Sequence, residues 1–285
     1  MTASLMAHSH RQTSPDFAKF ARVDGPWPIE ALRARFENHR FSAHAHDTWS
    51  IGAVVAGAKD ISAKKGRSQI FGVNQVYFLP PHSPHAGRAV DKVCEYVMLY
   101  LPDEAFREQC NALNVDLQQL RAELPADPQQ AKAIQTFVSQ ILRSSSYLDV
   151  WSGEWSLFCE SLLAKYRKTA ISKEVSSSKL TDPAIRRVYE YLHEFWNQNV
   201  SLGDLSRESS LSTSDVCRRF SAAYGLTPHR YQLVFRVMQA KSLLLKGAQI
   251  SEVAAETGFA DQSHFGRHFK SVVGVTPGCV ARASL

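Results

Sequence analysis

The chain has 285 residues, room for about two domains that each bury a core. Its 44% apolar and 10% aromatic content is that of a globular protein, with no apolar run near the ~18 residues a membrane-crossing helix needs. A net charge of +6 permits a nucleic-acid partner without proving one. Five scattered cysteines with no C-x-x-C pair argue against a disulfide framework or a structural zinc site, and for a reducing cytoplasm.

Residues 1–25 open with MTASLMAHSHRQTSPDF, which lacks the apolar stretch of a signal peptide and reads as a disordered leader. From Ala31 to Leu101 the pattern has a period of two. Leu32, Ala34 and Phe36 alternate with Arg33, Arg35 and Glu37, and short β-branched or aromatic runs follow at Trp49–Ala56, Gln75–Leu79 and Val93–Tyr100. Gly57, Gly66, Gly72 and Pro80-Pro81 punctuate them, the signature of an all-β barrel or sandwich. His44 and His46 form an H-x-H pair, and His85 follows the run at 75–79. The last run places Cys94, Tyr96, Met98 and Tyr100 on one face and Val93, Glu95, Val97 and Leu99 on the other. An inward Glu95 needs a cationic partner, such as an amine-bearing ligand. An outward one is an ordinary solvated carboxylate.

Asp103–Leu120, Asp127–Arg143 and Val150–Lys168 have helical character. Two apolar stripes run along the latter pair: Ala131, Ile134, Val138, Ile141 and Leu142, then Trp155, Phe158, Cys159, Leu162, Leu163 and Tyr166. They serve either as intrachain core or as a surface for a second subunit. Residues 169–179, TAISKEVSSSK, are polar and without periodicity, a linker. Asp182-Pro183 then opens a helix with Ile185, Val188, Tyr189 and Leu192 on its core face.

The remainder contains one design twice. Phe220 and Phe269, Gly225 and Gly274, Thr227 and Thr276, and Pro228 and Pro277 are each 49 apart, while Leu202 and Ile250, and Leu205 and Val253, are 48 apart. Each copy is a short helix, a turn carrying one extra residue in the second copy, and a second helix. Gly258 ends the first helix of copy two and Asp261 caps the next, whose buried side is Phe265, Phe269 and Val272 or Val273. In copy one Ser212 caps, Asp215 stands three residues on, and Val216, Phe220 and Ala223 or Tyr224 face inward. A long helix from Thr227-Pro228 to Gly247 joins the copies. Charge adds little: residues 180–285 hold twelve Lys/Arg against nine Asp/Glu.

The segment ISEVAAETGFADQSHFGRHFKSVVGVTP resembles the second DNA-binding motif of AraC/XylS-type transcriptional regulators. The stretch from Leu202 to Tyr231, LGDLS followed by LSTSDVCRRF and GLTPHRY, resembles their first. The resemblance implies an α+β two-domain chain. An N-terminal cupin-like β-barrel with flanking helices (26–168) binds effector and dimerises, and an all-α domain (180–285) carries two helix-turn-helix units joined by a long helix. It places Ser214, Cys217 and Arg218 at base-contacting positions of the first unit, and Gln262, Ser263, Gly266 and Arg267 at those of the second. The two arginines carry the two-pronged donor that matches guanine. The long helix holds the units so that they enter major grooves about one turn (~34 Å) apart. Lys270, Arg219 and Arg230 touch phosphate or solvent.

The N-terminal half resembles the cupin barrel that precedes the DNA-binding half in many such regulators. It departs from the metal-binding cupin pattern. Trp49, Ser50, Ile51 and Gly52 stand where a glutamate follows the H-x-H, and Asn74 replaces a glycine. Three neutral imidazoles can hold a divalent metal, line an effector pocket or make structural hydrogen bonds at the rim. The missing carboxylate favours a pocket, so the expected effector-binding residues are His44, His46, His85, Glu95 and Tyr96, with no metal and no cofactor.

The function implied is sequence-specific regulation of transcription, with activation the commoner mode, in response to a small molecule in the barrel. The partners implied are double-stranded DNA, the effector, a second copy of the chain and, for an activator, RNA polymerase. The site is the cytoplasm, with no membrane. Two other readings are a metal-dependent cupin enzyme fused to a DNA-binding module and an effector-independent DNA binder.

Overall fold

The structure is a computed structural model that describes residues 16–25, 27–63, 68–117, 120, 126–143, 154–164 and 182–282. Seven strands form one antiparallel sheet: β1 (Phe17–Val23), β2 (Ile29–Glu37), β3 (Arg40–His44), β4 (Thr48–Ala63), β5 (Ser68–Phe71), β6 (Val76–Leu79) and β7 (His85–Pro102). Their order is β1-β2-β7-β4-β5, with β3 also paired to β7 and β6 to β4. Register shifts in β4 at Val54/Ala56 and Gly57/Lys59 mark bulges, which bend a long strand and let the sheet curl into a half-barrel.

Strand β1 corrects the expected leader. Phe17–Val23 pairs residue for residue with Arg35–Ile29 of β2, and Phe20 and Val23 are buried. The far end of the chain supports it, since the Cys279 thiol lies against the Ala18 carbonyl. Residues 1–15 of that leader lie outside the described residues.

Both faces of β7 are covered, which explains its near-continuous apolar text. Val97, Leu99 and Leu101 pack outward against three helices, α1 (Asp103–Ala112), α2 (Pro128–Ile141) and α3 (Glu154–Leu163). There Phe137 stacks on Phe158 with ring centroids 4.2 Å apart, and the Trp49 indole donates to the Asp103 carboxylate at 2.8 Å. The two apolar stripes are therefore intrachain core: Ala131, Ile134, Val138, Ile141, Trp155, Phe158, Cys159, Leu162 and Leu163 are all buried. Tyr166 and the linker at 169–179 lie outside the described residues. No helix among the described residues is long and apolar enough to cross a membrane.

The C-terminal half is helical throughout. α4 (Pro183–Glu194) packs on the first unit, α5 (Leu202–Ser209) and α6 (Thr213–Tyr224). α7 (Pro228–Leu245) connects to the second, α8 (Ile250–Glu256) and α9 (Gln262–Val273), and α10 (Pro277–Ala281) ends it. The repeat holds in three dimensions. α6 and α9 each have 12 residues. Ser212 and Asp261 accept from the backbone amides of Asp215 and His264, and Gly225 and Gly274 close both helices at positive φ. α5 gains a full capping box between Ser201 and Asp204. Tyr224, not Ala223, turns inward, stacking on Tyr189.

The turns differ as the spacing indicates. Ser210 and Gly258, 48 apart, are the left-handed residues (φ 57° and 75°), so the extra residue falls between Gly258 and Asp261. Gly258 also abuts the loop before unit one. A Cβ there would lie 2.1 Å from the Asn197 carbonyl oxygen, and Arg236 of α7 ties both loops by donating to the carbonyls of Trp196, Gln198 and Gly258. Gly258→Ala therefore combines left-handed strain of about 1–2 kcal/mol with a backbone clash. Gly247→Ala, at φ 86° in open space, carries the strain alone. Thermal denaturation of both variants is expected to show the larger drop for Gly258→Ala. Equal drops would mean that the loop contact contributes nothing.

Candidate functional site

On α6 and α9 the same ridge stands out from each unit. Ser214, Arg218, Gln262, Ser263 and Arg267 are exposed, and Cys217 and Gly266 are half-buried between them. The opposite sides, Val216 with Phe220 and Phe265 with Phe269, are sunk in the core. The arginines start from different states. Arg218 donates to Asp215 at 2.5 Å along its own helix, holding that carboxyl below its usual range, whereas Arg267 makes no ion pair among the described residues.

Two neighbouring cations are otherwise engaged. Arg219 pairs with Asp182 at 3.1 Å. Arg230, expected at phosphate or solvent, instead donates to the Ala43 carbonyl of the barrel at 2.7 Å. Lys270 is exposed.

The two units sit differently on the barrel. Unit one has its own small core of Ile185, Val188, Leu192, Leu205, Val216 and Phe220. The core of unit two is continuous with the inner face of the sheet, through one cluster that joins Val272 and Val273 of α9 to Tyr96, Met98 and Tyr100 of β7. The C-terminal end of α9 is thus docked on the open side of the half-barrel.

At that junction lies a partly open cavity lined by His44, His46, Lys59, His85, Tyr96, Met98 and Tyr100 from the barrel and by Val272 and Val273 from α9. Its volume is about 30 Å³, room for a water or two and not for a metabolite. His44 ends β3 and His85 opens β7 as directly paired residues; His46 follows in the next loop. Their ring centroids lie 4.4–5.3 Å apart. Burial holds all three well on the neutral side, pushing His85 down to about 4 with the Lys59 charge adding to it, and His44 and His46 well below their usual value, where neighbouring histidines add to it. The Nδ1 atoms of His44 and His85 face the carbonyls of Ser42 and Ser83 at 2.6 and 2.9 Å. A neutral ring donates there, which leaves Nε2 as a lone pair.

Lys59 is the feature that sequence reasoning missed. Its ammonium is buried, 3.5 Å from the Tyr96 ring centroid, and donates to the Tyr77 hydroxyl at 3.2 Å. Burial lowers its pKa to about 8. No carboxylate pairs with it among the described residues. Glu95 is the corresponding correction: it lies on the other face of β7, where Arg33 of β2 grips it at 2.7 and 3.0 Å, and it does not line the cavity. Tyr96, its neighbour, does.

A helix-turn-helix family model matches residues 205–283, and the AraC-like ligand binding domain matches residues 26–164. The fold and this pair of sites define a two-domain, ligand-responsive DNA-binding regulator, and the chain belongs to the AraC family of transcriptional regulators.

It is 29% identical over 252 residues to the HTH-type transcriptional regulator YbfI of Bacillus subtilis (strain 168), covering 85% of this chain and 88% of that one. It is 24% identical over 250 residues to the HTH-type transcriptional activator RhaS of Klebsiella pneumoniae (strain 342), covering 84% and 87%. Two structures of ToxT from Vibrio cholerae strain SCE256 share the fold. An apo variant superposes with TM-score 0.54 at 14% identity over 96% of this chain and 99% of that one. The unsaturated fatty acid bound form gives 0.53 at 16% over 89% and 94%.

Proposed function

We propose that the chain is a cytoplasmic activator, not an enzyme, whose barrel cavity takes a small acid and whose occupancy changes how α9 is held. The observation that carries this reading is the double role of α9. Gln262, Ser263, Gly266 and Arg267 stand on its exposed side, and Val272 and Val273 wall the cavity.

An effector larger than a water or two does not fit a cavity of about 30 Å³ unless its lining shifts, and Val272 and Val273 are part of that lining. Effector binding and the docked position of unit two are therefore coupled in free energy. Lys59 sets the class. A buried ammonium without a carboxylate is costly, and a ligand carboxylate, with Tyr hydroxyl donors beside it, restores the balance. RhaS, similar over most of its length, is called an activator, which supports activation through RNA polymerase. A homodimer is the assembly proposed, with Leu157 of α3, 68% exposed, on the surface open to a second copy.

Base contacts are assigned to Ser214, Cys217, Arg218, Gln262, Ser263, Gly266 and Arg267, and effector contacts to His44, His46, His85, Tyr96 and Lys59. A thermal-shift screen of small carboxylic acids against their amides tests this reading. An acid at 100 times its Kd raises stability by about 2.7 kcal/mol. Lys59→Met is expected to lose the response to the acid while still binding DNA. A screen in which amides stabilise as well as acids, or a Lys59→Met protein that responds unchanged, removes the acid reading.

A further inference from the structure

The three histidines do more than line a wall. His44, His46 and His85 are all buried, and one ring nitrogen of each lies within 4.8 Å of the others. A four-coordinate ion with bonds of about 2.0–2.1 Å holds its nitrogens about 3.3 Å apart, so modest inward rotation of the rings closes the set.

Two of the rings already make the outer contact that metal-bound imidazoles make. His44 and His85 each turn Nδ1 to a backbone carbonyl. This is the outer-shell hydrogen bond that fixes the tautomer of metal-bound imidazoles and leaves Nε2 free to coordinate. His44 and His85 are a cross-strand pair, with a register shift in β3 between Phe41 and His44, and His46 is two residues on. Two of the three ligands thus stand on strand ends held by mutual pairing.

We propose that His44, His46 and His85 form a site for one divalent transition metal of the zinc class at the floor of the barrel cavity. Three neutral imidazoles without carboxylate or thiolate suit Zn²⁺, Ni²⁺ or Cu²⁺ and not Mg²⁺ or Ca²⁺. With no glutamate after the H-x-H, the three histidines would supply the protein's whole ligand set. Lys59 lines the same cavity, and its charge disfavours a bare dication there. An anionic ligand would offset the two positive charges, its oxygens drawn to the metal and to the Lys59 ammonium.

This site does not rest on the effector reading. The Lys59→Met response to acids is measured in chelator, and its failure leaves metal uptake untouched.

The test uses untagged full-length protein, stripped with chelator, dialysed and titrated with Zn²⁺ and with Co²⁺. The expected result is one equivalent bound, a raised melting temperature, and a cobalt spectrum of nitrogen and oxygen ligands without a thiolate band. His46→Gln, which keeps a polar side chain, is expected to weaken binding by at least about 100-fold, more than loss of an outer-shell partner does. A double His8→Ala/His10→Ala variant is expected to bind as the parent does. X-ray absorption of the zinc-loaded parent, expected to show three imidazoles, serves if a histidine variant fails to fold. No stoichiometric uptake, uptake unchanged in His46→Gln, uptake lost with His8 and His10, or a thiolate band each overturns the proposal.

Discussion

Arg267→Ala is expected to lower affinity for the protein's preferred duplex by about 1–3 kcal/mol, roughly 5- to 150-fold, and to relax preference at one base pair. The preferred duplex is obtained by selection from a random pool with the parent protein, and affinities are read by fluorescence anisotropy. The size follows from the starting state. Arg267 is exposed and has no ion-pair partner to give up among the described residues. Its helix is fixed from behind by Phe265 and Phe269, both fully buried.

Arg218→Ala should lose less, near the lower end of that range, because Arg218 must first leave Asp215. An exposed pair of this kind is worth at most about 1 kcal/mol. Lys270→Ala should weaken every duplex alike and reduce the salt slope by about one. If Arg267→Ala bound selected and random DNA as the parent does, the assignment of α9 as a reading helix would fail.

The reason these helices were legible is that their determinants are local. Ser212 and Asp261, Gly225 and Gly274, and the apolar residues at i, i+4 and i+7 lie within a dozen residues of one another. A second copy at a spacing of 49 checks each against its twin.

The barrel was legible only in outline. β1 was hidden because FAKFARV has no clean alternation; its partners are β2 and the tail of the chain, near Cys279. Glu95 was ambiguous for a related reason. A period of two separates the faces of β7 but does not say which is inward, and both are apolar because helices α1–α3 cover the outer one. The cavity has no local signature at all. Lys59 sits beyond a bulge in β4, and Val272 and Val273 come from more than 200 residues downstream. Only folding brings them to the histidines.

Breaking the ion pair between Lys241 of α7 and Glu30 of β2 is expected to have the other large effect. The two side chains are 7% and 13% exposed, and Lys241 also faces the rings of Phe20 and Tyr100. Removing one partner from a buried pair leaves a charge without compensation and costs about 3–5 kcal/mol. Here the lower end applies, because the pair borders a cleft of about 320 Å³ between barrel and α7 that admits water.

Lys241→Met and Glu30→Gln should each lower the urea midpoint of the full chain. The double variant should recover most of the loss, since removing both charges leaves neither stranded. Additive losses would show that the pair is not coupled. Tyr100 links this pair to function: it lines the cavity on one side and meets Lys241 on the other. Loosening α7 from β2 removes a fastening that holds unit two against the barrel. Each single variant is therefore expected to bind a cavity ligand more readily than the parent, and the double variant to fall between them, because less docking free energy opposes the opening of the α9 wall.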